Sequence, residues 1–454
     1  MKLRRILLVG LAARILLIPL FAHPFDVYAW YMICTDIIKE GPFKVTYFPP
    51  MLFYTLLPIA YLYQWASTSF AIAPVPMSSL PPQLNPYPQF EIAYVPGLLF
   101  NTLVKIPFLL ADTLLAIILY KFVKGLRLSQ SSAEKAAAIW FLNPYLIWIS
   151  SGWGMFDSLP ALFTIASLYL ISKKRLEMAG ACLAVAVAYK LYPIMLLFPV
   201  SLYFLKASSN RRVESIKFFS IFLIISVALF LPAFGGTWNV SQSLVTGIYE
   251  RAGLGLTYWS ILLTFPSDYQ SVAYASTILV VLAIGIVCFL LRRFEFKNSV
   301  LDLSAATLSL ILAVFLSYRI ICEQFFVWAL PFLIISCIEN RTEEILYRAS
   351  SILALLYSVT NLLFPFFLLS IAPWASDILL AIIFASGIST PMLGAYIPRL
   401  TLGTGALAIL GTAFSILMLV IVVETLVWPR RRIVKTLLPR KLNELLLKLR
   451  IQVE

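Results

Sequence analysis

Short clusters of Lys and Arg punctuate a chain made otherwise of long apolar runs, and that alternation leaves few folds open. The clusters are Lys2–Arg5, Lys121–Arg127 with Lys135, Lys173–Arg175, Lys206–Arg212, Arg292–Arg293, Arg341–Arg348 and Arg430–Arg432. Between them, runs such as Ile221–Leu231 and Ile278–Leu291 extend toward the ~20 apolar residues that cross a bilayer. In hydrocarbon every backbone donor and acceptor must be satisfied internally, so such runs become helices. Only 12% of residues are charged, against about a quarter in soluble domains. The expected class is an all-α polytopic membrane protein. The net charge of +14 resides mostly in the clusters, as in cytoplasmic loops, and gives no reason to expect a nucleic-acid partner. The five cysteines (34, 182, 288, 322, 337) lack metal-ligand spacing and read as packing residues. One histidine in the chain rules against a His-based metal site or a Ser-His-Asp triad.

Placing every basic cluster on the cytoplasmic side requires an even number of crossings. Spans then fall near 5–22, 97–121, 136–151, 158–172, 177–189, 191–206, 215–232, 272–291, 300–318, 320–338, 345–369 and 403–427, about twelve in all (11–13). Residues 376–396 are apolar but rich in Gly, Pro and Ser, and are expected at the outer interface. The first apolar run, behind Lys2–Arg5, reads as an uncleaved signal-anchor. Residues 1–428 form one transmembrane catalytic domain on this reading. Residues 429–454, with Leu438, Leu442, Leu445 and Leu449 at helical spacing among basic residues, form an amphipathic cytoplasmic tail on anionic lipids.

Parity also demotes an apparent span. Counting 51–66 as a crossing would put Lys121–Arg127 outside, and the Pro-rich stretch Ala73–Pro82 cannot supply a second crossing. Residues 22–96 are therefore expected to be one external loop. A helix begins after Tyr47-Phe-Pro-Pro50 and lies at the membrane surface, and Asp26 heads the loop. Asp26, the Trp153–Asp157 turn, Lys190 and the Arg319–Gln324 turn then share the outer face.

These segments resemble the GT-C glycosyltransferases, in particular the GPI-assembly-type mannosyltransferases and their archaeal and bacterial relatives. In that superfamily the first outer loop carries a catalytic acid followed by a Pro-Pro element opening a juxtamembrane helix. Asp26 and Tyr47–Pro50 stand in those places. Asn143-Pro through Trp153-Gly-Met-Phe-Asp157 is similar to an "Asn-Pro … Trp-Gly-Gln-x-Asp" stretch, departing from it at Met155. Ala188-Tyr-Lys-Leu-Tyr-Pro193 resembles "Phe-Lys-x-Tyr-Pro", and Glu323-Gln-Phe-Phe-Val-Trp-Ala-Leu-Pro331 resembles "Glu-Gln-Tyr-Phe-x-Trp-x-x-Pro".

The resemblance implies an inverting hexosyltransferase, mannose being the expected sugar. A polyprenyl or dolichyl phosphate sugar would be the donor and a glycan or glycolipid the acceptor. No cofactor is implied, and the dependence on a divalent metal stays open. An acceptor hydroxyl needs a base, and Asp26 is the candidate. The departing phosphate needs fixed cations, and Lys190 and Arg319 are the candidates. Asp157, Glu323, Gln324 and Tyr189 complete the expected donor set, with Trp153, Tyr47, Lys105 and Asp112 as further candidates and Trp148 able to stack on a sugar face.

Each candidate also has a structural alternative. Asp26 can cap a helix over 27–39, and Asp157 can cap the helix beginning at Ser158. Lys190 can snorkel to headgroups, and Arg319 can pair with Glu323 four residues on. Lys105 and Asp112 can pair with a neighbouring helix. His23 reads as an interfacial residue, and Asn239-Val-Ser241 is an outward-facing sequon. A lipid or sugar transporter is the competing class, but no internal repeat is visible and the polar points lie at one face. An outer-face glycan ligase or polymerase would place its basic residues in a large late loop.

Overall fold

The computed structural model describes residues 2–41, 49–85, 92–126, 128–208, 210–234, 254–264, 269–294, 296, 299–338, 341–360, 364–385 and 402–426. Tyr47, the sequon at Asn239 and the expected tail 429–454 lie outside the described residues. The described residues are mostly helical: α1 (Leu3–Leu17), α2 (Pro24–Glu40), α3 (Pro50–Ser69), α4 (Gly97–Gly125), α5 (Gln130–Phe141) and α6 (Pro144–Leu146) come first. There follow α7 (Ser158–Ser172), α8 (Leu176–Tyr189), α9 (Leu197–Ala207), α10 (Arg211–Phe234), α11 (Tyr269–Leu291) and α12 (Ser299–Ser317). Last come α13 (Phe326–Cys337), α14 (Arg341–Thr360), α15 (Ala372–Ala385) and α16 (Leu402–Leu426). Two two-residue pairings are the strands among the described residues: β1 (Val75–Pro76) antiparallel to β2 (Tyr94–Val95), and β3 (Leu254–Gly255) parallel to β4 (Ile320–Ile321).

Five of the described helices are long and apolar enough to cross a membrane: Gly97–Gly125, Arg211–Pro232, Gln270–Leu291, Val300–Ser317 and Gly405–Val423. On α10 and α11, large side chains such as Leu223, Val227, Ile278 and Val281 are exposed. Aqueous solvent would penalise such a surface, whereas lipid does not. Small residues let other helices approach closely. A Cβ on Gly180 of α8 would lie 2.3 Å from the carbonyl oxygen of Phe218 on α10.

Several expected spans are broken, three of them at a proline (Pro144, Pro193 and Pro365). The stretch 136–151 divides at Asn143-Pro144, after which a π-helix runs over Ile147–Trp153. The stretch 191–206 starts as a 3-10 turn, Tyr192–Leu196, before α9. The stretch 320–338 begins with β4 and a 3-10 turn, Glu323–Phe325. The end of 345–369 is a 3-10 helix, Phe364–Ile371. These breaks matter because they carry the polar residues described next. The helix expected after Pro49-Pro50 is present as α3.

Candidate active site

The start of α2 is held by two distant segments. Pro24 opens the helix at a position where its missing N–H costs nothing. The backbone N–H of Ala22 donates to the carbonyl of Phe367 at 2.7 Å, and that of His23 to the carbonyl of Trp153 at 2.9 Å. The His23 ring lies face to face on the Trp153 indole, 4.5 Å between centroids with 6° between planes. Phe367 stands edge-on to both rings.

Asp26 occupies the first turn of α2, and His23 is the capping residue. The cap expected of Asp26 is thus supplied three residues earlier, and the carboxylate is used otherwise. Its Oδ2 accepts from the Trp153 indole Nε1 at 2.6 Å and lies 2.8 Å from His23 Nδ1. Its Oδ1 has no hydrogen-bond partner among the described residues, and the side chain is 20% exposed. Burial pushes the Asp26 pKa up. The charge and hydrogen bond of His23, the indole hydrogen bond and the charge of Lys190 outweigh burial and hold it below the ordinary carboxylate value.

Lys190 follows the last residue of α8 in extended backbone. Its Nζ donates to Asp157 Oδ1 at 2.7 Å and sits over the rings of Phe156, Phe325 and Trp328 at 5.1, 4.8 and 5.0 Å. The Trp328 indole donates to the same Asp157 oxygen at 2.6 Å. Asp157 stands at the cap position of α7, yet its side chain caps nothing. Its Oδ2 is buried and without a partner among the described residues. Lys190 therefore does not simply snorkel; it is fixed by a carboxylate and three aromatic rings. The Tyr189 hydroxyl shares a hydrogen bond of 2.7 Å with Thr55, tying α8 to α3.

Arg319 lies between α12 and β4 with 1% of its surface exposed. None of its three guanidinium nitrogens has a partner among the described residues, so the expected pairing with Glu323 is not made. Glu323 is buried, and its carbonyl instead accepts from the Tyr145 hydroxyl. Gln324 is half-buried beside it. The parallel pairing of β3 with β4 fixes this turn. Gly255 has φ +92°, and a Cβ there would lie 2.0 Å from the Ile321 carbonyl oxygen. A buried cation without a partner is costly and is a place where an anion is wanted.

Lys105 and Asp112 have structural work instead. Asp112 forms a fully buried ion pair with Arg14 of α1 at 3.0 Å and accepts from the hydroxyls of Ser150 and Ser158. Lys105 donates to the carbonyls of Ile18, Phe21, Ser151 and Gly152. It thus clamps the end of α1 to the π-helix that carries Trp153. Gly154 closes the π-helix at φ +97°, and its carbonyl accepts from Trp30 at 3.0 Å.

The structure thus joins Asp26 to Trp153, and Lys190 to Asp157, with the charge of Lys190 acting on Asp26. Sequence reasoning missed His23 as a partner of Asp26, and Phe367 and Thr55 altogether. For His23 the signal was its i, i+3 spacing to Asp26; a lone Phe or Thr carries none.

These elements make a helical protein with five described helices long and apolar enough to cross a membrane, its polar residues gathered at helix breaks. Residues 149–249, which contain the Trp153–Asp157 turn and Lys190, match the family model described as Mannosyltransferase (PIG-M). The chain is 31% identical over 108 residues to GPI mannosyltransferase 1 of Kluyveromyces lactis, covering 24% of this chain and 26% of that protein. It is 25% identical over 250 residues to GPI mannosyltransferase 1 of Saccharomyces cerevisiae, covering 50% and 59%. The Dictyostelium discoideum protein of the same name is 30% identical over 134 residues, covering 26% and 29%. The matches thus span between about a quarter and three-fifths of these relatives' length. Over those segments the chain is similar to GPI mannosyltransferases.

Proposed function

We propose that this protein is a membrane mannosyltransferase. It transfers mannose from a polyprenyl (dolichyl) phosphate sugar to a lipid-linked or other glycan acceptor, with inversion at C1. The reading places the site on the outer face of the membrane, the ER lumen in a eukaryote, within a topology of about twelve spans. Asp26 is the general base and takes the acceptor's proton. The acceptor oxygen bonds to C1 as the C1–O bond to phosphate breaks, and the electron pair leaves with the lipid phosphate. Arg319 and Lys190 offset the charge that accumulates there. Asp157, Glu323, Gln324 and Tyr189 hold the donor or the elements around it.

The observation that carries this reading is the Asp26 carboxylate: one oxygen is fixed by Trp153 and the other has no partner among the described residues. A carboxylate held that way presents a lone pair to an incoming hydroxyl. The guanidinium of Arg319, without a partner among the described residues, supports an anionic ligand. The test is transfer from synthetic polyprenyl-phosphate mannose by purified protein, wild type against Asp26→Asn. Loss of transfer in a folded Asp26→Asn protein is expected, and retained turnover would remove Asp26 as base. Cysteine labelling of position 26 from the cytoplasmic side would overturn the orientation.

A further inference from the structure

Three groups converge on a single oxygen atom. Asp26 Oδ2 receives the Trp153 indole at 2.6 Å and faces His23 Nδ1 at 2.8 Å, while the His23 ring lies flat on that same indole. A distance of 2.8 Å between an imidazole nitrogen and a carboxylate oxygen requires a proton between them, because two bare lone pairs would repel. Yet the chain needs no histidine to cap α2; Ser, Asn or Asp would do that at least as well. The ring is also restrained further than a cap requires, with its backbone N–H on the Trp153 carbonyl and the Phe367 ring edge-on to it at 5.4 Å.

We propose that His23 is a positioning residue for the base, so that His23 and Asp26 act as one hydrogen-bonded dyad. This rests on the reading of Asp26 as the base. In the competent state the imidazole is neutral and carries its proton on Nδ1, in place of the lone pair that accepts the Asp26 backbone N–H at 3.2 Å in the cap. It donates to Oδ2 and turns Oδ1 toward the acceptor. The acceptor O–H bond then breaks, its proton goes to Oδ1, and its oxygen bonds to C1 as the lipid phosphate departs with the electron pair of the C1–O bond. The second proton of the dyad stays on Nδ1 throughout. When the imidazole takes up a further proton, the imidazolium holds the carboxylate as an anion too stable to accept one, and turnover stops. His23 thereby sets the lower pH limit of the reaction.

Among the described residues, two other titratable groups stand near this pair. Lys190, at the end of α8, acts on Asp26. Tyr94 of β2 lines a small half-open hollow on the far side of His23, together with Asn101 and Ser370. Trp153 and Phe367 do not titrate.

The experiment compares pH–rate profiles of mannosyl transfer for wild type, His23→Asn and Asp26→Asn in the purified full-length protein. Asn at position 23 keeps the cap and a side-chain N–H that can meet Oδ2, but does not titrate. The acid limb of kcat is expected to move to lower pH by at least about one unit in His23→Asn, where the carboxylate alone now governs it. His23→Phe, which keeps the stack but loses the hydrogen bond, is expected to lose about ten-fold or more in kcat with donor KM little changed. An unmoved acid limb in an active His23→Asn protein overturns the dyad. Retained transfer by Asp26→Asn overturns instead the reading on which it rests, so the two failures are distinguishable. Should His23→Asn fold poorly, the His23→Phe split of kcat from KM decides, and equal losses in both would count against the dyad.

Discussion

Trp153 donates its indole N–H to Asp26 Oδ2 at 2.6 Å from 127 residues away in the chain. A hydrogen bond to an ionised group contributes about 1.5–3 kcal/mol. Trp153→Phe keeps a ring against His23 but removes the donor. The kcat for mannosyl transfer should fall about ten- to a hundred-fold, with a smaller change in KM. Steady-state kinetics on the folded variant check this.

Arg319 is buried and unpartnered among the described residues, so its two roles predict opposite signs. Arg319→Gln removes an uncompensated charge and should leave thermal stability equal or higher. The same change should raise the KM for the polyprenyl-phosphate donor about ten-fold or more, since the charged fork is lost. A large fall in the Tm with an unchanged donor KM would assign Arg319 to structure.

The Arg14–Asp112 pair is fully buried between α1 and α4. Asp112→Asn leaves an unpaired guanidinium in the interior and should destabilise by about 3–5 kcal/mol. The double replacement Arg14→Met with Asp112→Leu should recover much of that loss. Thermal unfolding in detergent measures both. Turnover per folded molecule should hold, because these side chains support the π-helix and do not reach the acceptor.

Gly154 has φ +97°, and a Cβ there would meet Lys105 Cε at 2.8 Å. Gly154→Ala therefore carries the left-handed backbone penalty, about 1–2 kcal/mol, together with displacement of the Lys105 clamp. Both the Tm and kcat are expected to fall, since the carbonyl held by Trp30 and the indole held by Asp26 are adjacent in the chain.

Stability should depend on pH through Asp26. Its pKa in the folded protein is held below the ordinary value, so its contribution is fully present above the unfolded carboxylate pKa of about 3.9. That contribution is lost as pH falls through the lower folded value. The Tm of wild type should drop on acidification through this window, and Asp26→Asn should flatten that part of the curve.

Most helices were legible in the sequence. Residues 158–172 were expected as a span and α7 occupies Ser158–Ser172, because an apolar run bounded by a polar turn and a basic cluster has one solution in lipid. The helix after Pro49-Pro50 was legible for a similar reason, as proline favours a first helical position. The breaks inside 136–151 and 320–338 were not. Hydropathy averages over the polar backbone of a π-helix or a two-residue strand, and both breaks lie in apolar surroundings.

What the sequence determined by itself was the class: helices in lipid, with Asp26, Trp153, Asp157, Lys190 and Arg319 as the polar exceptions worth explaining. Their pairing was decided only in three dimensions. Nothing in a one-dimensional pattern says that Asp112 answers Arg14, that Lys105 holds four carbonyls, or that Asp157 shares one oxygen between Lys190 and Trp328. Those choices come from which helix faces meet, and in a bilayer, where lipid is as apolar as the side chains, close packing and the satisfaction of buried polar groups decide that meeting. The same packing laid the His23 ring on Trp153 and fixed one oxygen of Asp26 against its indole.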